Sequence, residues 1–299
     1  MWMVGIKSIE GEIMENADKV VKALEERGFI LELNVFRKLK SMKWNTQLSS
    51  PFWNVELDLK NESLGVGKNV YQKNQEKMRS MDILASRTTE IGDREIGTLM
   101  ASLCYTSLVV ECKKRSSENW VFYQETPFFK GNRKLDHYSL GGMFMVDYLS
   151  RIGKIGGNEE KYNDILRTSH HCLAEVDKIA TAGVPVFGPK TKNGLYGSCE
   201  QVISAFEYEV SRYQGYTNRA LINPAPVNLN WRVYPIIVFD GPLWEVVLEN
   251  DQISVKPRKR VIYEHTRGEL KHLIDIVSWE SFDEYCDILE EEITRLSKL

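Results

Sequence analysis

The run Leu103-Cys104-Tyr105-Thr106-Ser107-Leu108-Val109-Val110-Glu111-Cys112-Lys113 decides the reading of the chain. It is apolar at its heart and ends in two charged residues separated by one. Side chains alternate between the two faces of a strand. Leu108, Val110 and Cys112 therefore share one face, while Val109, Glu111 and Lys113 share the other. The carboxylate and the ammonium leave the strand end side by side. Upstream, Met81-Asp82-Ile83-Leu84-Ala85 reads as a second short strand, in which an unpaired Asp would be costly to bury. If the two strands pair, Asp82 joins Glu111 and Lys113. Two carboxylates and an ammonium at one sheet edge suit a hard divalent cation. Mg²⁺ takes oxygen ligands and often only one or two protein carboxylates, filling its shell with water and substrate phosphate. Such a metal activates water and neutralises charge on a phosphate under attack, and the Lys can orient that water.

Outward from this pair, Glu12 to Arg27 reads as an amphipathic helix stopped by Gly28, with Ile13, Val20, Val21 and Leu24 at helical spacing. Phe29 to Phe36 reads as a strand. Residues 60–79 read as a polar surface connection and residues 87–97 as a charged loop. Two helices are expected over Leu140–Ile152 and Glu159–Ala182, the second ended by Gly183 and Pro185. Ser198-Cys199-Glu200-Gln201 matches a capping box and opens a third helix with Val202, Ile203, Phe206 and Val210 on its apolar face. Val233–Phe239 and Leu243–Leu248 flank Asp240-Gly241-Pro242 and read as a hairpin. Strands over Lys259–His265 and Leu273–Trp279 follow. A final helix opens at the capping box Ser281-Phe282-Asp283-Glu284 and carries Phe282, Tyr285, Leu289, Ile293 and Leu296 inward.

The order of these elements, with Met81-Asp82 on one strand and Glu111-Cys112-Lys113 on the next, resembles the PD-(D/E)xK nuclease superfamily, the restriction-endonuclease-like fold. Met81 stands where the family name places Pro. The resemblance implies an α/β protein with an αβββαβ core and a mixed central sheet. Residues 1–113 would form the first part of that core, residues 114–197 a mainly helical insertion, and residues 198–299 the second core helix, the fourth strand and a strand-and-helix extension. It also implies metal-dependent phosphodiester hydrolysis: Asp82 and Glu111 as metal ligands, Lys113 as the catalytic lysine, and Mg²⁺ as cofactor with Mn²⁺ able to substitute. An acidic residue of the first helix joins the site in many members. Glu15 is the best match here, with Glu12 and Asp18 as competitors. Some members place a Gln from the second helix near the site, and Gln201 fits that place. Capping is its simpler role, since it occupies the third position of the capping box. The substrate implied is nucleic acid, DNA ahead of RNA. The alternative is a nuclease-like fold used without hydrolysis for nucleic-acid binding or assembly.

Composition bounds these readings. The chain has 299 residues, two domains' worth at about 150 residues each, or one large domain with insertions. At 42% hydrophobic and 27% charged it is neither disordered nor fibrous. A net charge of −3 excludes a globally basic binder, though not a local basic groove. Basic and aromatic residues interleave over Arg37–Trp44 and over Lys113–Lys134, segments able to track phosphates and stack on bases. An ordinary surface with its aromatics turned inward is the alternative. Five Cys without a CxxC pair argue against a zinc ribbon and for reduced thiols in a cytoplasmic protein. His170-His171-Cys172 has neighbours about 100° apart on a helix, a poor tetrahedral set. The amino terminus has no signal-peptide pattern. The apolar run Val233–Leu248 is too short and broken to cross a bilayer. Phosphate-binding loops of the GxxxxGK(S/T) or GxGxxG kind and a GxSxG elbow are missing from the sequence, so an ATP-driven role would need a partner protein. A homo-oligomer is compatible with all of this.

Overall fold

The computed structural model describes residues 18–25, 28–57, 71–91, 101–114, 119–127, 178–186, 194–222, 227–249, 252–267 and 270–297. Residues 18–25 form α1. The elements that follow are α2 (Phe29–Ser41), β1 (Asn45–Leu57), β2 (Tyr71–Ile91), β3 (Ala101–Lys114), β4 (Asn119–Pro127) and β5 (Lys178–Val186). Then come α3 (Leu195–Ile222), β6 (Val227–Asp240), β7 (Leu243–Glu249), β8 (Gln252–Arg258), β9 (Arg260–Arg267), β10 (Leu270–Ser278) and α4 (Phe282–Ser297). The protein is α/β, with one mixed sheet in the order β1-β2-β3-β6-β10-β9-β5-β4-β7-β8. Within it, α2, β1, β2, β3, α3 and β6 follow one another in the order αβββαβ, apart from β4 and β5 between β3 and α3.

The alternation expected along β3 holds. Leu108, Val110 and Cys112 pack with Leu31, Val35 and Leu39 of α2 and with Phe282, Tyr285 and Leu289 of α4. Val109 packs on the opposite face with Val202, Ile203 and Phe206 of α3. The meander β1-β2-β3 is antiparallel and β6 runs parallel to β3. The strands β3 and β6 are adjacent and parallel, and so are β4 and β7, the strands each leads into. Trp120 of β4 stacks on Phe239 of β6 with ring centroids 4.1 Å apart, so both halves of the sheet close around the core that α3 enters.

Several sequence expectations are corrected. Phe29–Phe36 is helical, as part of α2. Its apolar residues alternate as a strand's do, but Leu31, Val35 and Leu39 also recur every fourth residue, and that stripe is the one buried. Glu32 in the first turn and Lys38 and Lys40 in the last complement the helix dipole. Residues 71–79 and 87–91, read as connection and loop, belong to β2. The segment 114–197, read as mainly helical, contributes β4 and β5 to the sheet, and residues 178–182, Gly183 and Pro185 lie in β5. The helix expected over 140–152 and most of that over 159–182 lie outside the described residues. The hairpin of β6 and β7 does not form: β6 is already paired on both edges, with β3 and β10, while β7 pairs with β4 and β8. The third helix begins at Leu195, three residues before Ser198. The final helix and the two strands before it stand where expected.

One corner positions the site. Gly28 has φ 81°, the left-handed region that side chains other than glycine's avoid. A Cβ there would sit 3.3 Å from Lys114 Cβ. The bare glycine lets the α1–α2 corner press against the end of β3, where Lys114 Nζ donates to the Glu25 carbonyl at 2.6 Å. Among the described residues, no helix is long and apolar enough to cross a membrane.

Candidate functional site

The ladder between β2 and β3 stops at the pair Ile83–Val110, while β3 stays paired with β6 as far as Lys114–Asp240. Asp82, Glu111 and Lys113 lie just where the two strands part. In place of a ladder bond, the Cys112 backbone N–H donates to Asp82 Oδ2 at 2.7 Å. Glu111 is almost wholly buried, at 1% exposure, a costly place for a charge unless it is paired. Two partners meet it. Lys113 Nζ lies 2.5 Å from Oε1, and Gln201 Nε2 donates to Oε2 at 2.8 Å. Gln201 Nε2 also lies 3.2 Å from the Ser80 carbonyl, so it ties α3 to β2 and β3 together. Capping is therefore not the work of Gln201. Ser198 lies inside α3 and its hydroxyl donates back to the Gly194 carbonyl at 3.3 Å.

Glu32 of α2 joins this cluster. Its carboxyl is raised to about 7, first by burial and then by the Asp82 charge, against the pull of Lys113. Glu111 is raised to about 8 by burial and by the same Asp82 charge. Burial raises Asp82 too, opposed by the Cys112 N–H, by Lys113 and by a hydrogen bond with Glu111. For Lys113 burial acts downward, and the attraction of Glu111 and Asp82 outweighs it and holds the ammonium above its ordinary value. The Asp82 charge thus raises both Glu32 and Glu111 beside a single ammonium, and hard oxygen donors of this kind suit a divalent cation. Among the described residues no three His, Cys, Asp or Glu side chains stand together as a ready ion cage. Lys113 and Gln201 occupy the Glu111 oxygens instead.

Of the expected site residues, the structure brings together Asp82, Glu111, Lys113 and Gln201. Glu15 and Glu12 lie outside the described residues, and Asp18 is exposed on α1. The helix acid whose charge couples to the cluster is Glu32, which the strand-like alternation of Phe29–Phe36 conceals in the sequence. The four-residue stripe of Leu31, Val35 and Leu39 was the signal that could have found it.

Among the described residues of the basic-aromatic segments, Tyr123 is half-buried and the other aromatics face the core. Trp44, Trp120 and Phe122 are buried in the core, and Lys38 pairs with Asp283 at 2.7 Å. Arg37, Lys40 and Lys43 are exposed. Arg115, Lys130, Arg133 and Lys134 lie outside the described residues, as does His170-His171-Cys172. His265 and His272 are register partners on β9 and β10 facing α3, with His265 Nε2 2.8 Å from Glu200 Oε1. Cys112, Cys199 and Cys286 are free and buried.

Comparison of the chain with protein-family models, curated proteins and solved structures finds no match.

Proposed function

We propose that the protein is a metal-dependent phosphodiester hydrolase acting on nucleic acid, DNA ahead of RNA, built on a restriction-endonuclease-like core. One observation carries this reading. Asp82 and Glu111, from strands that part at that point, stand with Lys113 and with Gln201 of α3, within the electrostatic reach of Glu32 of α2. The order αβββαβ supports it.

Asp82 and Glu111 would hold Mg²⁺ or Mn²⁺, with Glu32 beside them. The cation, when bound, supplies Lewis-acid polarisation of a phosphoryl oxygen and neutralises developing charge. The chain's own residues do the rest. Gln201 and the Cys112 N–H hold the Glu111 and Asp82 carboxylates in fixed orientations, so little reorganisation is needed when substrate arrives. Lys113 donates N–H bonds to the attacking water and to charge growing on the phosphate. The water oxygen bonds to phosphorus, the ester P–O bond breaks with its electron pair leaving on the alkoxide oxygen, and the proton lost by water is balanced by one gained there. The test is cleavage of single-stranded and duplex DNA with Mn²⁺. Wild type cuts, and Asp82→Asn and Glu111→Gln do not.

The second reading, a nuclease-like fold that binds without cutting, is favoured by the ion pair of Lys113 with Glu111, which neutralises the buried acid from within. Wild type that binds DNA and leaves it intact with Mn²⁺ present would establish it.

A further inference from the structure

A hollow of about 240 Å³ opens on the other flank of α2 from Glu32, lined among others by Ile30, Asn34, Lys114, Asp240 and Trp279. It lies at the carboxyl ends of the parallel strands β3 and β6, where Lys114 and Asp240 are register partners. The crevice beyond the carboxyl ends of such strands is where α/β sheets take ligands. Lys114 follows Lys113 but turns to the face of β3 that α2 covers, so the hollow lies around the strand end from Glu111 and Lys113.

We propose that this hollow is a nucleobase pocket that receives an amine-bearing base next to the scissile phosphate. The inference rests on the hydrolase reading. Its volume is below the roughly 300–1,000 Å³ of pockets for drug-sized ligands, and so suits one flat ring system. Trp279 supplies an aromatic wall and is itself steadied by stacking on Phe282, with centroids 5.8 Å apart. Ile30 supplies an apolar one. The charge is wrong for phosphate: Glu25 and Asp240 line the hollow against Lys114 alone, and the Lys114 ammonium is already engaged by the Glu25 carbonyl. It is right for a neutral ring that offers N–H groups. Carboxylates accept from the cytosine amine, and an Asn amide pairs with the adenine edge. Asp240 and Asn34 are those two groups. Thymine has no exocyclic amine, and its one N–H, at N3, is flanked by two carbonyl oxygens that repel the Asp240 carboxylate.

The experiment is fluorescence anisotropy of the full chain with labelled single-stranded dA, dC and dT 12-mers in EDTA at fixed salt. Wild type is expected to bind dA and dC about 10-fold or more tighter than dT. Trp279→Leu should weaken dA and dC at least about 5-fold, the lower end of a lost base–aromatic stack, and Trp279→Phe should restore most of that. Asn34→Ala combined with Asp240→Ala should erase the preference over dT, with an unchanged melting temperature certifying the fold. Equal binding of the three oligonucleotides by wild type, or a preference that survives the double substitution, overturns the pocket while Mn²⁺-dependent cleavage keeps the hydrolase reading. Wild type that neither binds nor cuts any nucleic acid overturns both.

Discussion

Gln201 Nε2, on the helix behind the sheet, donates to Glu111 Oε2 at 2.8 Å across the gap where β2 and β3 part. A buried carboxyl oxygen left without its donor costs about 1–3 kcal/mol. Gln201→Ala is therefore expected to lower unfolding stability by that amount in urea titration. In a double-mutant cycle with Glu111→Ala the coupling should be at least about 0.5 kcal/mol. A helix-capping role would give no coupling.

The Asp82 charge raises both Glu111 and Glu32, and Asp82 and Glu111 are mostly buried. Asp82→Asn removes one charge and keeps an oxygen able to accept the Cys112 N–H. The melting temperature of Asp82→Asn should equal or exceed that of wild type. A fall of many degrees would identify Asp82 as a structural residue.

Lys113 has no lone pair while protonated and is not expected to ligate a metal. Lys113→Ala should keep Mn²⁺ affinity within a few-fold and cut cleavage by at least about 10², the scale of losing one preorganised electrostatic group. Parallel Mn²⁺ titration and single-turnover cleavage separate the two effects. A Lys113→Ala protein that cuts as well as wild type would remove Lys113 from the chemistry.

His272 is buried, and neither ring nitrogen has a hydrogen-bond partner among the described residues, although Nε2 lies 3.5 Å from Glu207 Oε1. Burial lowers it from 6.5 to about 4. Between those values the unfolded chain binds a proton that the folded one refuses, so stability falls as pH drops from 6.5 towards 4, by up to about 3 kcal/mol. Denaturant titrations across that window should show the slope in wild type and a shallower one in His272→Phe. Identical slopes would show that His272 takes its proton without unfolding.

The site was legible where its geometry is local. The alternation along β3 placed Glu111 and Lys113 on one face and Val109 with them, and the core confirms that parity. Partner choice is not local. Asp240-Gly241-Pro242 signals a turn, yet the sequence does not say that both edges of β6 are taken by β3 and β10. The segment Phe29–Phe36 satisfies strand and helix periods together, and only packing of Leu31, Val35 and Leu39 on the sheet chooses between them. With residues 29–36 read as a strand, the first helix is Glu12–Arg27 and Glu15 its best-placed acid, while Glu32 falls on no helix. Gln201 carries a capping-box pattern that the fold does not use, because α3 starts a turn earlier.

The most direct test is calorimetric titration of Mn²⁺ into the full chain and into Asp82→Asn and Glu111→Gln. The account predicts saturable binding to wild type that is lost in both variants while their melting temperatures hold. Wild type that takes up no Mn²⁺, or variants that bind it as wild type does, would contradict it.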